Sequence, residues 1–445
     1  MNAKIDRRSF LYSTAAAGAG LMLTPSALAR SGGNKNDDIN VALLGAGAQG
    51  QVLLDSCLKI PGLHFKAVCD IWTEWNQKRV SGQLKAYRHE NNTYEDYKEM
   101  LDKEKDLDAV IIATPDFWHA EHAIACLEAG LHVYCEKEMS NTLEGARKMV
   151  ETARKTGKLL QIGHQRRSNP RYIFSYEKII KEAQMIGRIT TINGQWNRSK
   201  RACEDLGWPK KAEIDQATLN KYGFESMHQF KNWRWYKGLG GGPIVDLGSH
   251  QIDIYSWFLD AQPKSVLASG GIDYWKNHEW YDNVMALYEY ETEYGTVRAF
   301  YQTLTTNSAG GYFETFMGDK GALMTSENAA RNAVYREDWV PQEQWYEWEN
   351  KRYIKREGGL AQPSSNKAVL DVRSTMPAAK YNLLIDMDKL FHQPHLENFF
   401  DAIRGRAVLN CPAEIGYETA VAVLKVNEAV EAGRKLEFKP EDFKV

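Results

Sequence analysis

The run at residues 39–50, INVALLGAGAQG, constrains this chain more than any other stretch. Ile39–Leu44 has the length and apolar character of a buried strand, and it leads straight into Gly45-x-Gly47-x-x-Gly50. A strand that turns on glycines into a helix forms a cradle for a diphosphate. Gly45 permits the tight turn, Gly47 lets backbone approach the pyrophosphate, and Gly50 lets the helix pack close to the sheet. Ala48 and Gln49 open that helix, whose free N–H groups and positive end favour an anion. Glycine spacing alone also suits a turn with no ligand. The following strand adds weight. Residues 64–70, HFKAVCD, end in Asp70, about 20 positions beyond the last glycine. A carboxylate there accepts the adenosine ribose hydroxyls and repels a 2′-phosphate. The expected cofactor is therefore NAD, in preference to NADP.

Strands and helices then alternate, which implies a parallel sheet. Residues 73–88 and 94–101 are helical in pattern. Residues 108–114, DAVIIAT, read as a central strand ending in Thr114-Pro115, with a helix through His119 to residue 129. A strand at 132–136 ends in Glu136-Lys137-Glu138, a helix covers 142–156, and a strand at 158–163 leads into His164-Gln165-Arg166-Arg167. Ligands of such sheets sit beyond the carboxyl ends of the strands. That rule gathers the three glycines, Ala48, Gln49, Asp70, Thr114, Pro115, Glu136, Lys137 and Gln165 around one cofactor crevice, and His119 on the following helix is a further candidate cofactor contact.

The second half changes character. Strands at 189–196, 264–270, 284–290, 296–303 and 312–317 have few helices between them. The expected architecture is an α/β Rossmann domain (39–165) followed by an α+β domain (166–445) with a large, mostly antiparallel open sheet. The helical patterns at 395–404 and 414–433 can pack back on the first domain. Two aromatic insertions, 198–237 and 339–366, are long enough to be binding loops. Ten of the 13 Trp lie beyond residue 195 and would suit stacking on a sugar. Arg166, Trp233, Arg234 and Tyr236 are the candidate substrate contacts. Residues 240–253, GGGPIVDLGSHQID, predict a helix opening near Pro243. Asp246 and His250 then share a face at i and i+4, where a carboxylate can orient an imidazole for proton transfer.

The N-terminal stretch reads as a targeting segment. Arg7-Arg8-Ser9-Phe10-Leu11 precedes an apolar run and Ala27-Leu28-Ala29, a pattern similar to a twin-arginine signal peptide (1–29) followed by a polar linker (30–38). The expectation is export to the periplasm, with no stable membrane span after processing. An uncut signal would instead leave a membrane anchor. Outside the cytoplasm no soluble NAD pool is expected, so NAD should be tightly held and regenerated within the cycle. Lys and Arg total 56 against 58 Asp and Glu, with no segment basic enough for nucleic acid. The cysteines Cys57, Cys69, Cys126 and Cys135 fit no zinc spacing and read as buried free thiols. No metal site is expected.

Taken together, these marks resemble the Gfo/Idh/MocA oxidoreductases. The glycine turn, Thr114-Pro115, Glu136-Lys137, Asp246…His250 and HLENFFDAIRGR at 395–406 carry the resemblance over nearly the whole mature chain. It implies a sugar or glycoside substrate, hydride transfer to or from nicotinamide, and proton handling by Lys137 and His250 with Asp246 in support. It also implies a homo-oligomer, a dimer or tetramer. Glu138 stands where the family has proline, beside Lys137, and its carboxylate can hold that lysine charged. The alternative activity is a glycosidase on the same fold that oxidises the sugar transiently and expels its leaving group by elimination. A non-catalytic sugar-binding member is the reading from another class.

Overall fold

The computed structural model describes residues 37–358 and 378–445. The expected signal peptide, linker residues 30–36 and the end of the second insertion lie outside the described residues. Six strands, β1 (Ile39–Leu44), β2 (Leu63–Cys69), β3 (Asn92–Tyr94), β4 (Ala109–Ile112), β5 (His132–Cys135) and β6 (Leu160–Ile162), pair in the order β3-β2-β1-β4-β5-β6. Every pairing is parallel. β4 reads AVII and is buried at each position, as a strand covered on both faces must be. Helices α1 (Ala48–Cys57), α2 (Lys78–Ala86), α3 (Tyr97–Lys103), α4 (Asp116–Glu128) and α5 (Leu143–Thr156) are interleaved with the strands. The strand order reverses between β1 and β4, and a crevice opens at their carboxyl ends. Two details differ from expectation. β3 is too short to leave a periodic signal, and the helix expected over 73–88 starts with a π-helical turn at Thr73–Gln77.

The second domain is built on a ten-stranded sheet. Its strands are β7 (Ile189–Asn197), β8 (Pro263–Gly271), β9 (Asn283–Thr292), β10 (Gly295–Leu304), β11 (Tyr312–Gly318), β12 (Gly321–Thr325), β13 (Ala333–Arg336), β14 (Ile354–Arg356), β15 (Ala379–Leu383) and β16 (Leu436–Glu437). They run in the order β14-β15-β13-β12-β11-β7-β10-β9-β8-β16. Only β7 and β10 pair in parallel among the described residues. Along β9, Val284, Ala286, Tyr288 and Tyr290 are buried, whereas Met285 and Leu287 face outward, 46% and 39% exposed. This two-residue alternation puts one face of the sheet on the core. That core face receives α6 (Gly242–Leu259), which is buried along most of its length. A Cβ on Gly248 would stand 3.0 Å from the Tyr301 ring, so glycine is what lets α6 lie close against β10.

The chain then returns to the first domain. Helix α7 (Gln393–Ile403) places Leu396, Phe399 and Phe400 in one core with Val41, Leu43, Leu53 and Tyr134. Helix α8 (Ala413–Ala432) packs against α5, α6 and β8, bridging the two domains. All six cysteines are buried and free.

Candidate active site

The carboxyl ends of β1, β2, β4 and β5 face α6 and the 198–237 segment across a cleft of about 580 Å³. At the nucleotide end, Gly45 has φ +95°, and a Cβ there would lie 2.6 Å from the Ala113 carbonyl. A Cβ on Gly50 would meet the Gly45 oxygen, so Gly50 serves close helix–turn packing and does not line the cleft. Gly47 is different. A Cβ there would meet only Asn76, at 3.9 Å, leaving an open cradle over the helix start. Gly47, Ala48 and Gln49 line that cradle, and no side chain caps α1. Its first amides therefore face the cleft, as a diphosphate requires. The residues present fit the expected dinucleotide.

Asp70 also lines the cleft, and its carboxylate already steadies the turn. It accepts from Ala46 N and Trp72 N, both at 2.7 Å, and from Asn76 Nδ2 at 3.3 Å. Burial raises its carboxyl, and those donors partly offset the shift. Oδ2 takes the Ala46 and Asn76 donors, and Oδ1, which accepts only from Trp72 N, keeps lone-pair capacity for a ribose hydroxyl. Thr114 and Pro115 border the cleft, as does Gln165, which donates to Glu327 at 3.3 Å. Glu136 accepts from Gln49 Nε2 at 3.2 Å, and Gln49 also lies 3.1 Å from His392 Nε2.

Three strands along from β2, Lys137 follows β5 and meets α6. Its Nζ lies 3.1 Å from Asp246 Oδ1 and also donates to the Asp246 carbonyl oxygen. Arg234 Nε donates to the same Oδ1 at 3.2 Å. Burial by itself would raise the Asp246 carboxyl, but the Lys137 and Arg234 charges outweigh it and hold the group well below the usual carboxylate range. His250 faces the same cleft, one helical turn on. Burial, reinforced by the Lys137 and Arg166 charges, pushes its imidazole well below its ordinary value. The ring is therefore neutral. Its Nδ1 is buried without a partner among the described residues, so Nε2 is the nitrogen left open to the cleft.

Several expected contacts are placed differently. Asp246 is i−4 to His250 but does not bind it; its carboxylate is taken by Lys137 and Arg234. Glu138 does not hold Lys137 either. Its carboxyl is fully buried, with Oε1 accepting from Met139 N at 2.8 Å, and burial pushes it up to about 8. The Lys137–Glu138 peptide is cis without a proline. His119 sits behind the cleft, with ring nitrogens 2.7 and 2.8 Å from the Glu138 and Thr114 carbonyl oxygens. Arg166 is 1% exposed and bound to Glu314 and Glu327, so it braces the β11–β12 region and cannot reach a substrate. Tyr236 turns away and meets His228 Nδ1 at 2.7 Å. Trp233 and Arg234 do line the cleft.

Other cleft residues were missed. Asp116 opens α4 directly after Thr114-Pro115, so the strand-end rule reaches it. Burial raises its carboxyl to about 7 against the opposing pull of Lys137 and Arg234. Trp196 and Tyr312 come from β7 and β11, Arg198 directly follows β7, and His392 is the residue before α7. Nothing in the local pattern of these four marks them.

Comparison with known proteins agrees with this layout. Residues 39–164 match the oxidoreductase family with an NAD-binding Rossmann fold, GFO_IDH_MocA, and residues 178–324 match the C-terminal domain of the same family. A D-glucoside 3-dehydrogenase of Escherichia coli is 29% identical over 229 residues, 50% of this chain and 54% of its own length. A glycosyl hydrolase family 109 protein of Shewanella baltica is 30% identical over 175 residues, 35% of this chain and 38% of its own. The chain spans about half the length of the curated relatives it matches. A levoglucosan dehydrogenase solved with NADH shares the fold, with a TM-score of 0.65, 18% identity and coverage of 90% of this chain and 99% of that one. With the glycine cradle at the switch point of the first sheet and the Asp246 helix facing it from the second domain, the chain belongs to the Gfo/Idh/MocA family of NAD-binding oxidoreductases.

Proposed function

We propose that this protein is an NAD-dependent oxidoreductase that interconverts a ring hydroxyl and a ketone on a sugar or glycoside. The carrying observation is the Lys137–Asp246 contact beside a neutral His250 in the cofactor cleft. When bound, NAD supplies the hydride acceptor. Gly47, Ala48 and Gln49 would hold its diphosphate and Asp70 its ribose. In the oxidising direction, His250 Nε2 accepts the hydroxyl proton. Lys137 Nζ donates to the same oxygen and stabilises the negative charge that develops there. Asp246, shared with Arg234, holds the lysine head in position. Acid–base help of this kind contributes about 10²–10⁴ in rate.

The cofactor stays bound through the cycle in this reading. The 198–237 segment supports it. Trp72 Nε1 donates to the Ala212 carbonyl, Trp118 Nε1 to that of Tyr222 at 3.2 Å, and Tyr222 OH to Glu95 at 3.1 Å. Trp72, Leu219, Tyr222, Phe224, Met227 and Trp233 form a core of their own beneath this strap. Retention suits the twin-arginine signal read at residues 1–29, and we place the mature protein in the periplasm. No helix among the described residues is long and apolar enough to cross a membrane.

The test is to purify the mature protein without added cofactor, denature it and identify the released nucleotide. One NAD per chain, with keto products from a glycoside panel, supports the reading. An empty protein that oxidises no sugar contradicts it. A second reading, redox-neutral glycoside cleavage, is favoured by the family 109 likeness. It predicts release of the leaving group with no net change in bound NAD.

A further inference from the structure

We propose that the substrate is an anionic sugar whose carboxylate or phosphate is held by Arg198; this rests on the reading of the cleft as a sugar oxidoreductase site. Arg198 directly follows β7 and lines the cleft with Asp246 and His250. Its guanidinium lies over the Trp196 ring, Cζ 5.4 Å from the centroid. Trp196 stacks on Tyr312 at 4.7 Å and stands 5.6 Å from the His250 ring. One indole thus separates the cation from the imidazole that receives the proton.

Arg198 has no carboxylate within ion-pair distance among the described residues, although its backbone is anchored by N–H donation to Leu304 O at 2.8 Å. Asp116 and Glu204 also line the cleft but form no ion pair with Arg198 among the described residues, and two other cleft acids are engaged elsewhere. Asp246 serves Lys137 and Arg234, and Glu327 serves Arg166 and Gln165. The Asp246 carboxyl registers Arg198 as well as Lys137 and Arg234, whereas Asp116 registers only Lys137 and Arg234 among these cations. The fourth cleft cation, Lys231, lies over Trp72 and faces Asp70 at the nucleotide end. A guanidinium cannot shed its proton to relieve partial burial. It keeps its charge and presents a planar fork that matches carboxylate and phosphate oxygens while its face stacks on an aromatic ring. A neutral hexose offers that fork hydroxyl acceptors but no compensating charge. A uronide or a sugar phosphate adds an anionic arm that would pair with the guanidinium beside Trp196.

The mature protein carrying NAD is assayed with a neutral methyl hexoside, the matching methyl hexuronide and the matching hexoside phosphate. The expected result is kcat/KM at least tenfold higher for one anionic substrate than for the neutral one. The better anion identifies carboxylate or phosphate. Arg198→Gln should lower the anionic-to-neutral ratio at least tenfold, and Arg198→Lys should restore part of it. A neutral substrate that is equal or better, or a ratio unmoved by Arg198→Gln in a protein that melts normally, overturns the proposal and leaves the oxidoreductase reading standing. If no sugar turns over, that reading fails instead, and binding decides the Arg198 assignment. Hexuronide or hexoside phosphate is then titrated against tryptophan fluorescence. Saturable binding weakened tenfold in Arg198→Gln sustains the assignment, and no binding, or equal binding in both proteins, overturns it.

Discussion

Lys137 Nζ lies 3.1 Å from Asp246 Oδ1 across 109 residues of sequence and across the boundary between the two domains. The lysine stands at the end of β5 and the aspartate on α6. The pair therefore exists only when both domains have folded and docked. Lys137→Ala removes the donor while leaving the glycine cradle intact. The expected outcome is a loss of about 10²–10⁴ in kcat, with NAD affinity little changed. Steady-state rates and a nucleotide titration measure the two effects separately.

Arg166 is expected to act on stability and not on substrate recognition. It is buried against Glu314 and Glu327. Arg166→Leu strands two buried carboxylates, and removing one partner of a buried ion network costs about 3–5 kcal/mol. Chemical denaturation should register that loss. A variant of normal stability with a raised KM would contradict the placement.

Glu138 gives the fold a specific pH dependence. Burial raises its carboxyl from an ordinary value near 4.5 to about 8, and Oε2 has no partner among the described residues. A group whose value rises on folding contributes fully below its unfolded value and loses that contribution as pH climbs through its folded value. Wild-type stability relative to Glu138→Gln should therefore fall between pH ~4.5 and ~8, at up to about 1.4 kcal/mol per pH unit, and level off above. Paired melting curves across that window test this. A difference that does not change with pH would refute it.

The strap over the nucleotide end should set the rate of cofactor exchange. Lys221 lies 3.3 Å from Glu95, and the Tyr222 hydroxyl donates to the same carboxylate. The exposed pair is worth at most about 1 kcal/mol and the hydrogen bond about 1 kcal/mol. Lys221→Ala with Tyr222→Phe should therefore speed NADH release roughly tenfold, as measured by displacing bound NADH with excess NAD. Unchanged release would separate the strap from retention.

The parts of the molecule that were legible from sequence are those where local chain geometry and chemistry coincide. Gly45 and Gly50 declare a turn because no Cβ fits there, and the apolar run of β4 declares a central strand. Each strand end then points to the crevice, which located Asp70, Thr114, Glu136 and Lys137. The substrate candidate Arg166 and the cofactor candidate His119 lie behind the cleft, since nearness to a strand end does not reveal whether a polar side chain turns toward the cleft or into an ion network or backbone hydrogen bonds behind it. The i,i+4 spacing of Asp246 and His250 was correct, but their pairing was not, because two cations from distant segments compete for that carboxylate. Arg198 and His392 were hidden for a related reason. Each reaches the cleft through the docking of the two domains, a relationship that no local period records.

The most direct single measurement is reduction of bound cofactor on mixing NAD-loaded protein with a glycoside panel, wild type beside Lys137→Ala, followed by nicotinamide absorbance. The account predicts that at least one sugar reduces wild-type bound NAD, and that Lys137→Ala, carrying the same NAD, is slower by about two orders of magnitude or more. No reduction by any sugar, or an equal rate in the variant, would contradict it.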